Sequence, residues 1–182
     1  MNEVRPLRLL ERCESGEVGA IEEFVRTYLP YSYRLALSIL DDPAGADDVA
    51  QDTLLVALER LHAFRGEAAF TTWLYTITLN LCRKRLRKRR SRARLARFLP
   101  EIFNLHAETQ HPEAEVQKVE ADADLWRAIR RLTDPQREVI VLRFYHDLPI
   151  ANISQMTGVS ERTVHNRLRA ALDRLRFLLK GR

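Results

Sequence analysis

The fifteen residues from Arg83 to Arg97 carry ten Lys or Arg side chains and no acid. Cations at that density repel one another in a free chain, so the run asks for a polyanionic partner. Six residues separate it from Phe70-Thr71-Thr72-Trp73-Leu74-Tyr75-Thr76, and aromatic rings near a phosphate-binding run suit bases held outside a duplex. The competing reading of a like-charged block is a solvated tail between domains. Bond-making chemistry fits the chain less well. A nuclease needs clustered acids or a nucleophile with a base, whereas these carboxylates crowd on one exposed helix with no His or Lys partner. Five histidines lack ligand spacing, and Cys13 and Cys82 lie far apart with no CxxC. No catalytic group, metal, cofactor or disulfide framework is therefore expected, and Cys82 is expected to be a small core residue.

Charge is segregated along the 182 residues beyond what the net charge of +5 conveys. Asp41 to Arg60 holds six acids against the single base Arg60, and Phe98 to Asp124 holds seven against Lys118. Separate acidic and basic blocks imply more than one charged partner, or one partner with both kinds of surface. Hydrophobic residues make up 46% of the chain and only six residues are Gly, which points to a globular, helical protein. No charged-then-apolar leader opens it, and no apolar run approaches the ~18–20 residues that cross a bilayer. A soluble cytoplasmic chain without membrane insertion of its own is expected.

Helical periodicity must position these blocks, because no period-2 strand stands out. Ile21, Phe24, Val25 and Tyr28 mark one buried face, and Pro30 is expected to break or kink the chain before a second run from Tyr31 to Leu40. Asp42 before Pro43 is a helix start. That helix, to about His62, is expected to bury Leu54, Leu58 and Leu61 and to present Asp48, Gln51, Asp52, Leu55 and Glu59 outward. Arg65-Gly66 forms a turn before a long helix from about Phe70 into the basic run, with Trp73, Thr76, Asn80, Lys84 and Arg87 on one side. Leu99 to about Asp122 reads as a linker with some helix near its end. Helices resume with Leu125, Ile129 and Leu132. Asp134 is expected to cap the next helix, whose apolar residues include Val139, Ile140, Leu142 and Phe144.

Leu148 to Leu168 reads as helix, tight turn, helix. Ile150, Ile153 and Met156 belong to the first helix, Thr157-Gly158-Val159 to the turn, and Ser160 caps a second helix that buries Val164 and Leu168. Its exposed side presents Arg162, His165, Asn166 and Arg169, as a helix entering a major groove would. Arg can pair with guanine and Asn with adenine. Helix-turn-helix units also serve as plain packing. Seven bases against two acids from Glu161 to Arg182 favour DNA.

In this order the motifs resemble the bacterial sigma-70 superfamily, in its extracytoplasmic-function (ECF) group. Asp47-Asp48-Val49-Ala50-Gln51-Asp52-Thr53 resembles the region 2.2 motif, whose helix binds a coiled coil on the β′ subunit of core RNA polymerase. Phe64-Arg65-Gly66, Phe70, Trp73-Leu74-Tyr75 and Asn80 resemble regions 2.3 and 2.4, which open and read the −10 element. Leu132 to Val141, with Pro135-Gln136-Arg137-Glu138, resembles region 4.1. Thr163-Val164 through Arg167-Leu168 resembles the region 4.2 reading helix for the −35 element. The resemblance covers Phe24 to about Arg90 and Leu132 to Arg176. Four positions depart from it. Lys84 stands where an Asp is frequent, Ala170 and Leu172 where Arg is common, and Ser154 where a small Ala is usual.

The resemblance implies an all-α chain of two small helical domains joined by a linker. Residues 1–97 would be region 2-like, 98–124 an acidic linker and 125–182 the region 4-like helix-turn-helix domain. It implies core polymerase (β′ and β subunits), promoter DNA and an anti-sigma factor as partners. Asp48, Gln51, Asp52, Leu55 and Glu59 would then face polymerase. Phe64, Arg65, Trp73, Thr76, Asn80, Arg83, Lys84, Arg87 and Lys88 would face the −10 element. Arg162, Thr163, His165, Asn166, Arg167 and Arg169 would face the −35 element. Physically, Phe64, Trp73 and Asn80 suit the capture of unstacked bases, which offsets an opening cost of a few kcal/mol per step. Arg83, Lys84, Arg87 and Lys88 suit phosphates. For Trp73, core and base-contacting roles stand level. The competing function is a helix-turn-helix regulator not tied to polymerase, its first half a dimerisation or sensor module; such a module needs neither the acidic helix nor the aromatic-basic one.

Overall fold

Amphipathic periodicity builds almost every element. The computed structural model describes residues 4–66, 68–98 and 120–180. Helix α1 (Val4–Glu14) lays Leu9, Leu10 and Cys13 against α2 (Val18–Leu40). Pro30 does not end α2, contrary to the expected break, and the helix runs on for ten further residues. A proline inside a helix removes one ladder bond and costs ~3 kcal/mol. Here the residues on both sides of it, Phe24 and Tyr28 before and Leu35, Ala36 and Ile39 after, are buried, and their packing holds the helix together. The helix stops at Asp41, which takes a left-handed φ of 53° while its N–H donates to the Leu37 carbonyl. Asp42 then caps α3 (Pro43–Glu59) by accepting the Gly45 N–H at 3.1 Å. Leu54 and Leu61 are buried as expected, whereas Leu58 is only half-buried.

A 3₁₀ turn (Leu61–Ala63) and Gly66, at φ +71°, lead to α4 (Phe70–Phe98). Most of the expected linker lies outside the described residues, and from Glu120 its end is already helical, in α5 (Glu120–Arg130). Helix α6 (Asp134–Ile140) is capped one residue earlier than expected. Thr133 is extended and its N–H donates to Gln136 Oε1 at 3.1 Å, which leaves the Asp134 carboxylate free for a partner elsewhere. The chain continues as a π-helical segment (Val141–Tyr145). The wider turn carries Phe144 and Tyr145 outward, to 63% and 54% exposure, while Val139, Ile140 and Leu142 stay inside. Helices α7 (Ile150–Thr157) and α8 (Glu161–Lys180) complete the chain.

Among the described residues, two hydrophobic cores result. Phe24, Tyr28, Leu54, Leu61, Phe70 and Leu74 fill the first, within the N-terminal half. The second is shared between the halves. Leu35, Ile39, Leu79, Cys82 and Leu86 meet Val139, Leu142, Ile153, Met156 and Val164 in one cluster.

Candidate polymerase-contact and DNA-contact surfaces

Helical spacing puts Asp48, Gln51, Asp52, Leu55 and Glu59 on one solvent-facing stripe of α3, and all five are exposed. Leu55, at 60% exposure, is an uncovered apolar side chain among carboxylates. That pairing suits a basic, partly apolar helix better than water. Asp48 is braced from behind: Arg85 of α4 donates to its Oδ2 at 2.9 Å and also lies 3.8 Å from Asp42. Arg85 reaches there because Gly45 has no side chain. A Cβ on Gly45 would stand 2.4 Å from Asp42 Oδ2 and 2.7 Å from Arg85 Nε. Arg85 was not singled out in the sequence, since its partners are about forty residues away.

On α4, Trp73 is both packed into the domain and accessible from a cleft. It is half-buried, with ring centroids 5.6 Å from Phe64 and 5.3 Å from Phe70. It also lines an open cleft together with Phe64, Arg65, Thr72 and Thr76. Further along, Asn80, Lys84, Arg87 and Lys88 are exposed. Arg83 stands apart from these. Its guanidinium forks onto the buried carboxylate of Glu138 in α6, Nε to Oε1 at 2.9 Å and Nη2 to Oε2 at 2.6 Å. The carboxylate holds that guanidinium more firmly protonated, and Glu138 has only 5% of its side chain exposed. Removing one partner of so buried a pair costs on the order of 3–5 kcal/mol.

The helix-turn-helix is formed by α7 and α8. Gly158 turns the chain at φ +70°, Ser160 Oγ accepts the Thr163 N–H at 3.2 Å, and Ser154 Oγ donates to the Val159 carbonyl at 2.6 Å. Val164, Leu168 and Ala171 are buried against the rest of the domain. The opposite side presents Arg162, His165, Asn166 and Arg169 to solvent, with Thr163 and Arg167 half-buried. Thr163 also shares a hydroxyl hydrogen bond with Ser160, 2.9 Å apart, within the cap.

Several polar contacts bind the two halves besides Arg83–Glu138. Arg90 of α4 pairs with Asp134, and Arg130 Nε meets Asp41 at 3.0 Å. Arg137 Nη1 donates to the Ile39 carbonyl at 3.0 Å. Tyr75 OH and His146 Nδ1 lie 3.2 Å apart. Gln155 and Met156 of α7 form the far wall of the Trp73 cleft. Sequence reasoning named Asp41, Asp134 and Glu138 but missed their pairing across the halves. The one available signal was Glu138 itself, a charge on the same helical face as the apolar Val141 and Leu142.

Burial pushes the Cys82 thiol up to about 12, which keeps it protonated and unreactive. Among the described residues no cluster of His, Cys, Asp or Glu could hold a metal ion, and no helix is long and apolar enough to cross a membrane.

Comparison with known proteins accounts for both halves. Residues 24–92 match the family model for Sigma-70 region 2, and residues 122–175 match that for Sigma-70, region 4. The ECF RNA polymerase sigma factor SigW of Bacillus subtilis is 27% identical over 177 residues, which span 94% of this chain and 95% of that one. SigM of Mycobacterium tuberculosis is 32% identical over 171 residues, 94% of this chain and 83% of that one. The solved structure of CnrH in complex with the cytosolic domain of CnrY superposes with a TM-score of 0.65 at 26% identity, over 95% of this chain and 96% of that one. RpoE from Bartonella quintana, in complex with the anti-sigma factor NepR, shares the fold with a TM-score of 0.70 at 24% identity, over 90% of this chain and 99% of that one. With both regions matched in order across the acidic, aromatic-basic and helix-turn-helix surfaces, the chain belongs to the sigma-70 family of RNA polymerase sigma factors, in its ECF group.

Proposed function

We propose that Asp48, Gln51, Asp52, Leu55 and Glu59 dock this sigma factor on the β′ subunit of core RNA polymerase. Its α4 cleft and the exposed face of α8 would then select the promoter. As a sigma factor, the chain binds core polymerase, recognises −35 and −10 elements and promotes DNA opening. Residues 1–97 form the region 2 unit, 98–124 the linker and 125–182 the region 4 unit. Phe64, Trp73, Thr76 and Asn80 take the unstacked −10 bases, with Arg65, Arg83, Lys84, Arg87 and Lys88 on the phosphates. Arg162, Thr163, His165, Asn166, Arg167 and Arg169 read the −35 element. The factor is not itself an enzyme; polymerase supplies the chemistry, in the cytoplasm. The carrying observation is the exposed acid-and-leucine stripe of α3 on the same half as an aromatic cleft and a basic helix. A regulator independent of polymerase has no use for that stripe, and the match of residues 24–92 to region 2 disfavours it.

A solved relative is held by an anti-sigma factor, and we extend that class of partner to this chain. The test is co-elution with core polymerase, followed by transcription from genomic fragments. Asp48→Arg or Asp52→Arg is expected to weaken core binding with native circular dichroism. Unchanged affinity would remove the docking assignment, and sequence-specific DNA binding without polymerase association would remove the sigma reading altogether.

A further inference from the structure

The basic face of α4 is already in use. Arg83 and Arg90 lie seven residues apart, two turns along one side of the helix, and Asp134 and Glu138 lie one turn apart on α6. The helices meet so that Arg83 takes Glu138 and Arg90 takes Asp134. Carboxylate oxygens forked onto guanidinium nitrogens reproduce how a phosphate would sit on the same groups. Lys84, Arg87 and Lys88, on the adjoining side, stay open to solvent. The basic helix is thus divided into a free stripe and an occupied one. Occupation comes with apolar cover, since Leu79, Cys82 and Leu86 of α4 are buried against the second half, and Met156 and Gln155 wall the Trp73 cleft.

We propose that Glu138 and Asp134 act as internal substitutes for nucleic-acid phosphates, holding the free chain closed, and that a single-stranded polyanion opens it by competing for Arg83 and Arg90. This rests on the reading of α4 as a nucleic-acid surface. Binding there is a two-step process: the free stripe attracts the strand, and the strand then takes the two arginines from their carboxylates. The apparent affinity equals the intrinsic one multiplied by the open fraction, so a weaker latch tightens binding with no new contact to the strand.

The experiment uses the full chain, with small-angle X-ray scattering for compactness and fluorescence anisotropy with fluorescein-labelled oligothymidylate for binding. The wild-type chain alone should be compact and should expand when oligothymidylate is added. Glu138→Gln should bind roughly tenfold more tightly, as expected where closure limits affinity, and Asp134→Asn, whose carboxylate is more exposed, should tighten binding to a smaller degree. Glu14→Gln, an exposed acid on α1, removes the same charge away from the latch and sets the baseline for simple net-charge effects. Should Glu138→Gln fail to fold by circular dichroism, the exchange Arg83→Glu with Glu138→Arg decides. It should restore a compact chain that binds oligothymidylate several-fold more weakly than wild type. Three results would overturn the proposal: a wild-type chain already extended without oligothymidylate, latch variants no tighter than Glu14→Gln, or an exchange variant binding as wild type does. None of these readouts involves polymerase, so a failure of the core-binding test would leave them separately decidable.

Discussion

His146 is expected to make the packing of the two halves sensitive to acid, and the sign follows from its surroundings. The imidazole sits between the halves with Tyr75 and Tyr145 against it and Arg34 as the charge that acts on it. Among the described residues, Nε2 is buried without a partner and no carboxylate is hydrogen-bonded to the ring. Burial first, and the Arg34 charge second, lower its pKa from 6.5 to about 4. A proton is therefore held more tightly once His146 is exposed, by unfolding or by detachment of the second half. The stabilisation is complete above 6.5, declines as pH falls below that value, and is gone once pH has passed through about 4. Those two values make the loss between neutral pH and pH 5 about 2 kcal/mol, with a ceiling of about 3 kcal/mol at lower pH. The assay is urea unfolding of wild type and His146→Gln at pH 7.5 and at pH 5, which most carboxylates have not yet reached on titration. Only the difference in slope is read, so a fixed cost of the substitution cancels. Wild type should lose about 2 kcal/mol more than the variant across that interval. Equal losses would refute the assignment of the buried imidazole as the titrating group.

Other perturbations test separate parts of the structure. Arg169→Ala should weaken binding to a −35 site by about 1–3 kcal/mol in a fluorescence titration, and an equal loss on scrambled DNA would make it a phosphate contact. Leu142, fully buried in the core shared by the halves, should cost about 2–5 kcal/mol as Leu142→Ala in thermal denaturation. Gly45→Ala should displace Arg85 and the Asp42 cap, lowering both thermal stability and core-polymerase affinity. An unchanged melting temperature would mean that Arg85 swings aside freely. Binding to non-specific DNA should fall steeply with salt, and a flat dependence would remove the phosphate role of Lys84, Arg87 and Lys88.

What the sequence made legible is what is written in local spacing. The α3 stripe follows from 48, 52, 55 and 59 repeating at helical intervals, and the turn at Gly158 with its Ser160 cap follows from two residue types with few other uses. Pro30 misled because its cost is local, whereas the buried faces that outweigh it come from helices in both halves. Asp134 was a fair choice of cap, but Thr133 is the extended residue, and the displaced carboxylate turned out to have a partner on α4. Arg83 resembled its neighbours in the basic run. Only a contact with a residue 55 positions away distinguishes it, and no periodicity encodes that.

The uneven exposure of the two surfaces proposed to face DNA also has a kinetic meaning. The face of α8 is open to solvent while the Trp73 cleft is walled by α7, so the two surfaces cannot be reached on equal terms. Contact through α8 requires only collision, and its rate should rise in proportion to DNA concentration. Under the proposed latch, entry of a base beside Trp73 would wait for a first-order rearrangement of the protein, whose rate no excess of DNA can raise. Occupation of the cleft should therefore approach a plateau rate set by the chain's own opening, with Trp73 fluorescence as a reporter already in place.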